Sequence, residues 1–222
     1  LDAAARRMLA VASVEGEVFT AEVLARLLAL PERDVVRQLS EHVAGKHRLV
    51  NAVGLERRRL VRLSRFQFRY TLLQEHLYGG IGEAERSYLH EDIGHALEGL
   101  YGEGADEIAV QLAYHFEQAQ DMGRARHYLQ RAGESAAAAF ANAEALGYLG
   151  RALELAPAGD RAARGELLLA REKVYHLLGD RQHQREDLAA LEELAGTQGD
   201  PVQRAEVALR WAGYCDAVSN YP

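Results

Sequence analysis

The chain has 222 residues, 48% of them hydrophobic and 27% charged, with a formal net charge of −7. That composition is one of a folded chain and leaves room for two modest domains; no apolar run approaches the roughly 20 residues of a membrane span. One cysteine, Cys215, excludes an internal disulfide, and without metal-ligand neighbours it is expected to fill a small buried apolar position.

Residues 2 to 13 form the first predicted helix, with Asp2 as N-cap. Asp2, Arg6 and Arg7 sit inside its period, which is not a signal-peptide layout, so a cytoplasmic location is expected. Thr20 is placed to cap a second helix with Val23, Leu24, Leu27 and Leu28 on its apolar face. Pro31 starts a third, with Val35, Val36, Leu39 and Val43 on one side. Strands follow at Leu49 to Val53 and from Arg59 through Phe66-Gln67-Phe68-Arg69-Tyr70, with Gly54-Leu55-Glu56-Arg57 as the hairpin tip between them. Three helices and a small β-hairpin are the layout of a winged-helix domain.

Charge is concentrated in this stretch. Lys46, Arg48, Arg57, Arg58, Arg59, Arg62, Arg65 and Arg69 stand against one acid, Glu56, giving a local charge of +7 and leaving −14 elsewhere. Such a stretch suits nucleic acid or an acidic protein surface. The third helix, the one a winged helix lays in the major groove, carries Glu32, Asp34 and Glu41 beside Arg33 and Arg37 and does not seek phosphate. DNA is therefore the lesser expectation.

From Thr71 the chain reads as helical. A short helix ends at Gly79-Gly80, and a longer one runs from Glu83 to about Leu100 with Tyr88, Leu89, Ile93, Ala96, Leu97 and Leu100 as its buried stripe. Breaks are expected at Gly102 to Gly104, Ala119 to Gly123, Pro157 to Asp160, Gly179-Asp180 and Gly196 to Pro201, where Asp200 caps and Pro201 starts the last helix. Within these helices small and large apolar residues recur as Leu112-Ala113-x-x-Phe116, Ala125/Leu129/Ala132 and Ala145/Leu149/Ala152. The pattern fits stacked helix pairs of tetratricopeptide type, with one long helix, Gly123 to about Ala141, shared by two pairs. The later unit departs from it at Gln184 and Leu191, where small residues are expected, and Ala205 to Tyr221 reads as the first helix of a further pair with an exposed apolar edge.

No catalytic motif is present. Lys46 and Lys173 are the only lysines, and neither lies in a GxxxxGK[ST] loop. His42/His47 and His90/His95 are five apart, whereas zinc pairs on one helix sit three or four apart. A non-enzymatic chain without its own metal or cofactor is expected.

The order of these elements, with Phe66-Gln67-Phe68-Arg69-Tyr70-Thr71-Leu72-Leu73-Gln74-Glu75-His76-Leu77-Tyr78 followed by Leu89-His90, resembles the winged-helix and tetratricopeptide region of bacterial STAND signal-transduction ATPases. The resemblance implies a mainly α chain: a winged-helix domain at 1–80, a helical arm at 81–158 and the start of a tetratricopeptide sensor at 159–222, the α-helical superhelix being cut from a longer protein. It also implies autoinhibition, with this region holding an absent nucleotide-binding module in its ADP form until an unknown inducer, protein or small molecule, binds the repeats. ADP, ATP and Mg belong to that module, which is the implied intramolecular partner. The family commonly ends the hairpin with a histidine that helps hold ADP; Tyr70 stands at that position here, offering a hydroxyl. Arg57, Arg58, Arg59 and Arg62 are the candidate docking residues, and Tyr114, His115, Gln118 and Tyr148 the candidate recognition face.

Overall fold

The computed structural model describes residues 1–58, 61–198 and 201–219. They form a mainly helical chain with one small antiparallel sheet, divided into two compact units, Leu1–Asp121 and Met122–Pro222.

In the first unit, α1 (Ala3–Glu15) begins where Ala5 N–H donates to Asp2 Oδ1 at 2.7 Å, the expected cap. Its face of Met8, Leu9 and Ala12 is buried. A strand, β1 (Val18–Thr20), precedes α2 (Ala21–Leu27). Thr20 does not cap α2 with its side chain: its hydroxyl donates to Glu15 Oε1 at 2.7 Å and its N–H to Glu15 Oε2 at 3.0 Å. The buried carboxylate competes successfully for the donor that the helix was expected to use. After Pro31, α3 (Glu32–Gln38) passes into a π-helical stretch, Leu39–Lys46, rather than continuing as one α-helix. Gly45 fits the wider turn, because a Cβ there would lie 3.2 Å from Ser40 O five residues back.

Strands β2 (Val50–Arg58) and β3 (Val61–Phe68) pair antiparallel, and the sheet order is β1-β3-β2. The expected tip at Gly54–Arg57 is instead part of β2, where Gly54 opposes Arg65 and Arg57 opposes Arg62. Gly54 serves a bulge rather than a turn: the register shifts between Ala52 and Gly54, and its φ of 156° suits glycine. Phe19 from β1 meets Phe66 and Phe68 from β3 at ring-centre distances of 6.1 and 5.1 Å, closing one face of the sheet over α1, α2 and α3.

Helix α4 (Thr71–Gly79) is tied back to α1 where Gln74 Nε2 donates to Ser13 O at 2.7 Å. The boundary expected near residue 80 falls between α4 and α5 (Glu83–Tyr101), and α5 packs on α1 and α2 within the same unit. Its buried stripe is His90, Ile93, Gly94, Leu97 and Leu100, while Tyr88, expected on that stripe, is 70% exposed. Spacings of three and four from His90 define the inward face, and Tyr88 lies off it. A 3₁₀ stretch, Gly102–Ile108, leads to α6 (Ala109–Gln118), which lays the ring of Phe116 against Gly94 so closely that a Cβ there would sit 2.9 Å from it.

In the second unit, α7 (Met122–Ala138) and α8 (Asn142–Leu155) form a helical hairpin. The long helix expected to reach Ala141 ends three residues earlier, and Phe140 turns the chain at a φ of 59°. Ala125, Leu129 and Ala132 lie on α7, and Ala145, Leu149 and Ala152 on α8, all buried. Their 20-residue offset is thus the step from one helix to its partner.

Asp160 caps α9 (Arg161–Leu178) by accepting from Ala163 N–H at 3.1 Å and binds Arg126 of α7 at 2.8 Å. Gly179, left-handed at φ 71°, turns the chain into α10 (Arg181–Gln198). That helix continues through Gly196, where a break was expected; the Asp200 cap lies outside the described residues. Pro201 begins α11 (Pro201–Ser219) as predicted, with Leu209 74% and Val202 70% exposed. Cys215 is exposed on α11 rather than buried.

Where small residues were expected, Gln184 and Leu191 are buried instead. Gln184 Nε2 donates to buried Glu172 Oε1 at 2.7 Å, and Leu191 joins Leu168, Leu188 and Val207 in an apolar cluster.

The α7–α8 seam sets a paired prediction. A Cβ on Gly133 would lie 2.6 Å from Leu149 Cγ, whereas one on Gly147 meets nothing within 4 Å. Gly133→Ala should destabilise the second unit by about 1–3 kcal/mol through overpacking, and Gly147→Ala should stabilise it by up to about 1 kcal/mol through helix propensity. Urea unfolding followed by the fluorescence of Trp211 measures both.

Candidate functional site

The residues singled out in the sequence separate into three places. On the hairpin, Arg57 and Arg62 are exposed and face each other across β2 and β3. Arg58 ends β2 with its side chain outside the description, and Arg59 lies outside the described residues. Arg65, counted in the same basic run, is drawn inward: it reaches Glu56 at 3.3 Å, Thr20 Oγ1 at 3.4 Å and Tyr101 Oη at 2.9 Å. Tyr70 is 55% exposed at the N-cap of α4, where its carbonyl accepts from Leu73 N–H at 3.0 Å, and its side chain makes no capping bond.

On α6, Tyr114 and Gln118 are exposed, but His115 is fully buried and so is not part of an accessible recognition face. It falls on the inward stripe with Leu112 and Phe116. Tyr148, half-buried on α8, belongs to the second unit.

His115 instead anchors a buried polar chain that spacing rules for zinc had passed over. Its Nδ1 lies 2.9 Å from Nδ1 of His90 on α5, and Nε2 of His90 lies 3.2 Å from the hydroxyl of Tyr78 on α4. Tyr114 stands edge-on to His90 with ring centres 5.5 Å apart, and the Arg86 guanidinium lies 4.9 Å from the Tyr78 ring centre. The signal in the sequence was position: each histidine sits on the buried stripe of its helix.

One proton must lie between the two imidazoles. Either Tyr78 O–H donates to His90 Nε2 and His90 Nδ1–H to His115 Nδ1, or His115 Nδ1–H donates to His90 Nδ1 and His90 Nε2–H to the Tyr78 oxygen. In both arrangements His115 Nε2 is buried without a partner among the described residues.

Burial holds His90 down at about 4, with the Arg86 charge adding to the effect, and holds His115 down at about 3, with His90 adding. Burial also raises Tyr114, helped by neighbouring Tyr78. The pair is therefore neutral near pH 7. Double protonation would point two N–H groups at each other across 2.9 Å. The arrangement joins α4, α5 and α6 through hydrogen bonds that double protonation of the pair would break, and His115 is fully buried within it. Among the described residues no group of three or more His, Cys, Asp or Glu side chains is placed to hold a metal ion, and no helix is long and apolar enough to cross a membrane.

A second buried titrating group in this unit works in the opposite direction. Burial pushes Glu15 up to about 7 against the hydrogen bonds from Thr20 and the charge of Arg65. Its raised value contributes stability that is complete below its unfolded value of 4.5 and is lost as pH rises toward 7. The histidines, depressed from 6.5, contribute stability that is complete above 6.5 and is lost as pH falls toward 4.

Between about pH 6 and 5 the unfolded chain holds close to two protons on these histidines and the folded chain holds one on Glu15. The net of one proton predicts a loss of about 1.4 kcal/mol per pH unit on acidification. Glu15→Gln should steepen the slope toward two protons, and His115→Leu should flatten it. Urea unfolding at several pH values, read by hydrogen exchange of α5 and α6 amides, checks the signs; a flat profile in the unaltered chain would contradict the assignment.

Comparison of the chain with models of protein families, with curated proteins and with solved structures finds no match to any of them.

Proposed function

We propose that the chain is a non-catalytic regulatory part of a bacterial STAND ATPase, working in the cytoplasm, in which a winged-helix domain passes the state of a tetratricopeptide-like sensor to a nucleotide-binding module. The observation that carries this reading is the order of elements in the first unit. Helix, strand, two helices and a hairpin make a three-stranded sheet ordered β1-β3-β2, and the chain then continues directly into α4 and α5. This connectivity supports the reading of a winged helix followed by a helical arm. Small-to-large seams between α7 and α8 support the tetratricopeptide-like reading of the second unit.

In this mechanism the first unit docks on the nucleotide-binding module and favours its ADP-bound form, with Tyr70 near the diphosphate and Mg held by the module itself. An inducer that binds the repeats more tightly in the open form releases the module. Moving such an equilibrium from mostly closed to mostly open requires roughly 5 kcal/mol of differential affinity. No residue of the chain is assigned to hydrolysis.

The chain, added in trans to the nucleotide-binding module of its parent protein, should bind it and slow release of a fluorescent ADP analogue. Tyr70→Ala should weaken the retention while leaving the fold intact, because its side chain is exposed and caps nothing. Unchanged release of the analogue at saturating chain would sink the proposal.

A further inference from the structure

The hairpin reaches past the core that covers its base. Cross-strand partners share a face, so Ser64, opposite Leu55, and Arg62, opposite Arg57, continue the face on which Phe66 and Phe68 are buried. Beyond Phe66 this face is open: Leu55 is 61% exposed, and Arg57 and Arg62 are exposed. Val53, the extra residue of the bulge, is 56% exposed beside them. In the sheet order β1-β3-β2, strand β2 is an edge, and its outward N–H and C=O groups form a row with no strand paired to them among the described residues.

We propose that the edge of β2 from Val53 to Arg57 is a docking strand for an acidic, aliphatic segment of a partner protein, which adds to the sheet in extended form.

Charge selects the occupant. Two guanidiniums directly opposite each other repel, and neither has an ion-pair partner among the described residues, while Arg65 on the other face is already met by Glu56. A carboxylate arriving between Arg57 and Arg62 relieves that repulsion. A second copy of the same strand would bring arginine onto arginine, so the edge discourages pairing with itself and favours an acidic strand.

Geometry and apolar surface argue against a nucleic acid. A phosphate backbone leaves Val53 and Leu55 without apolar contacts, and α3 presents Glu32 together with Asp34, whose charge is met by Arg37 at 2.8 Å. An extended peptide meets all the features at once: its main chain pairs with the edge, its aliphatic side chains cover Val53 and Leu55, and its acids reach the arginines. The bulge at Val53 and Gly54 bends the strand at the start of this segment and ends the usable template toward Ala52. The proposal does not depend on the regulatory reading, since any partner with such a segment satisfies it.

The test uses the whole chain and a fluorescent peptide alternating glutamate and valine, with anisotropy as the readout at physiological salt. Binding is expected, together with slower hydrogen exchange of the β2 amides, and a lysine–valine peptide should bind at least about tenfold more weakly. Arg57→Glu combined with Arg62→Glu should reverse that preference, with circular dichroism confirming the fold. A glutamate–valine peptide methylated at alternate backbone nitrogens keeps the side chains and loses the ladder, so it should bind about tenfold more weakly on the unaltered chain. Equal binding of the methylated peptide, indifference to the arginine reversal in a folded chain, or tighter binding of a short DNA duplex than of the acidic peptide would each overturn the proposal.

Discussion

Close helix contact at glycine is the constraint on which both units depend. Gly94 on α5 lets the ring of Phe116 come close against the helix, and Gly133 on α7 receives Leu149 of α8. At each seam a missing Cβ on one side makes room for a large buried side chain on the other, so neither helix pair can be separated by even one methyl group without losing contact elsewhere. The first of these seams also creates the histidine pair. His90 lies one turn before Gly94 and His115 directly precedes Phe116, so the approach that seats the phenyl ring also brings the two imidazoles within hydrogen-bond distance.

The first unit keeps its charges in two different conditions. Inside, Glu15, Thr20, Arg65, Glu56 and Tyr101 are linked, and the cost of burying the Glu15 carboxylate is partly offset by the Thr20 donors on β1 and the charge of Arg65 on β3. Outside, Arg57 and Arg62 on the far part of the hairpin have no ion-pair partner among the described residues. A run of basic residues in the sequence is thereby divided by strand alternation: Arg65 serves the fold, and Arg57 and Arg62 face solvent. Composition alone cannot make that division, because it depends on which face of the hairpin each residue takes.

Long periodic segments were legible in the sequence. The first helix with its Asp2 cap, the stripes of α7 and α8, Pro31 and Pro201 as helix starts, and the break around Gly179 all follow from local rules that tertiary packing reinforced. What was not legible involved a choice between two local meanings. Gly54 suits both a turn and a bulge, and only the pairing of β2 with β3 selects the bulge. Gly196 is a reasonable helix end, but α10 carries through it. Thr20 is a good cap until Glu15, made adjacent by β1, takes its hydroxyl. His90 was judged with His95 by metal-ligand spacing, a rule about one helix, whereas it pairs with His115 of another. The exposed candidates of the site, Arg57, Arg62, Tyr114 and Gln118, were readable as polar surface, while His115 was misplaced because a polar residue on an apolar stripe was counted outward.

The seams of the second unit differ in kind. Between α7 and α8 the contact is apolar and steric, whereas Glu172 of α9 is held by Gln184 of α10 and Arg210 of α11, and Arg171 of α9 grips Asp187 of α10 through two hydrogen bonds. The apolar seam is held by shape, with Leu149 seated over Gly133. The buried carboxylate is held by its donors, and a shift by one helical turn would strip Glu172 of both at once. The α9–α11 end of the unit is therefore registered by polar bonds and the α7–α8 end by the seat of a side chain over a glycine, so a slip in either direction meets a different kind of resistance.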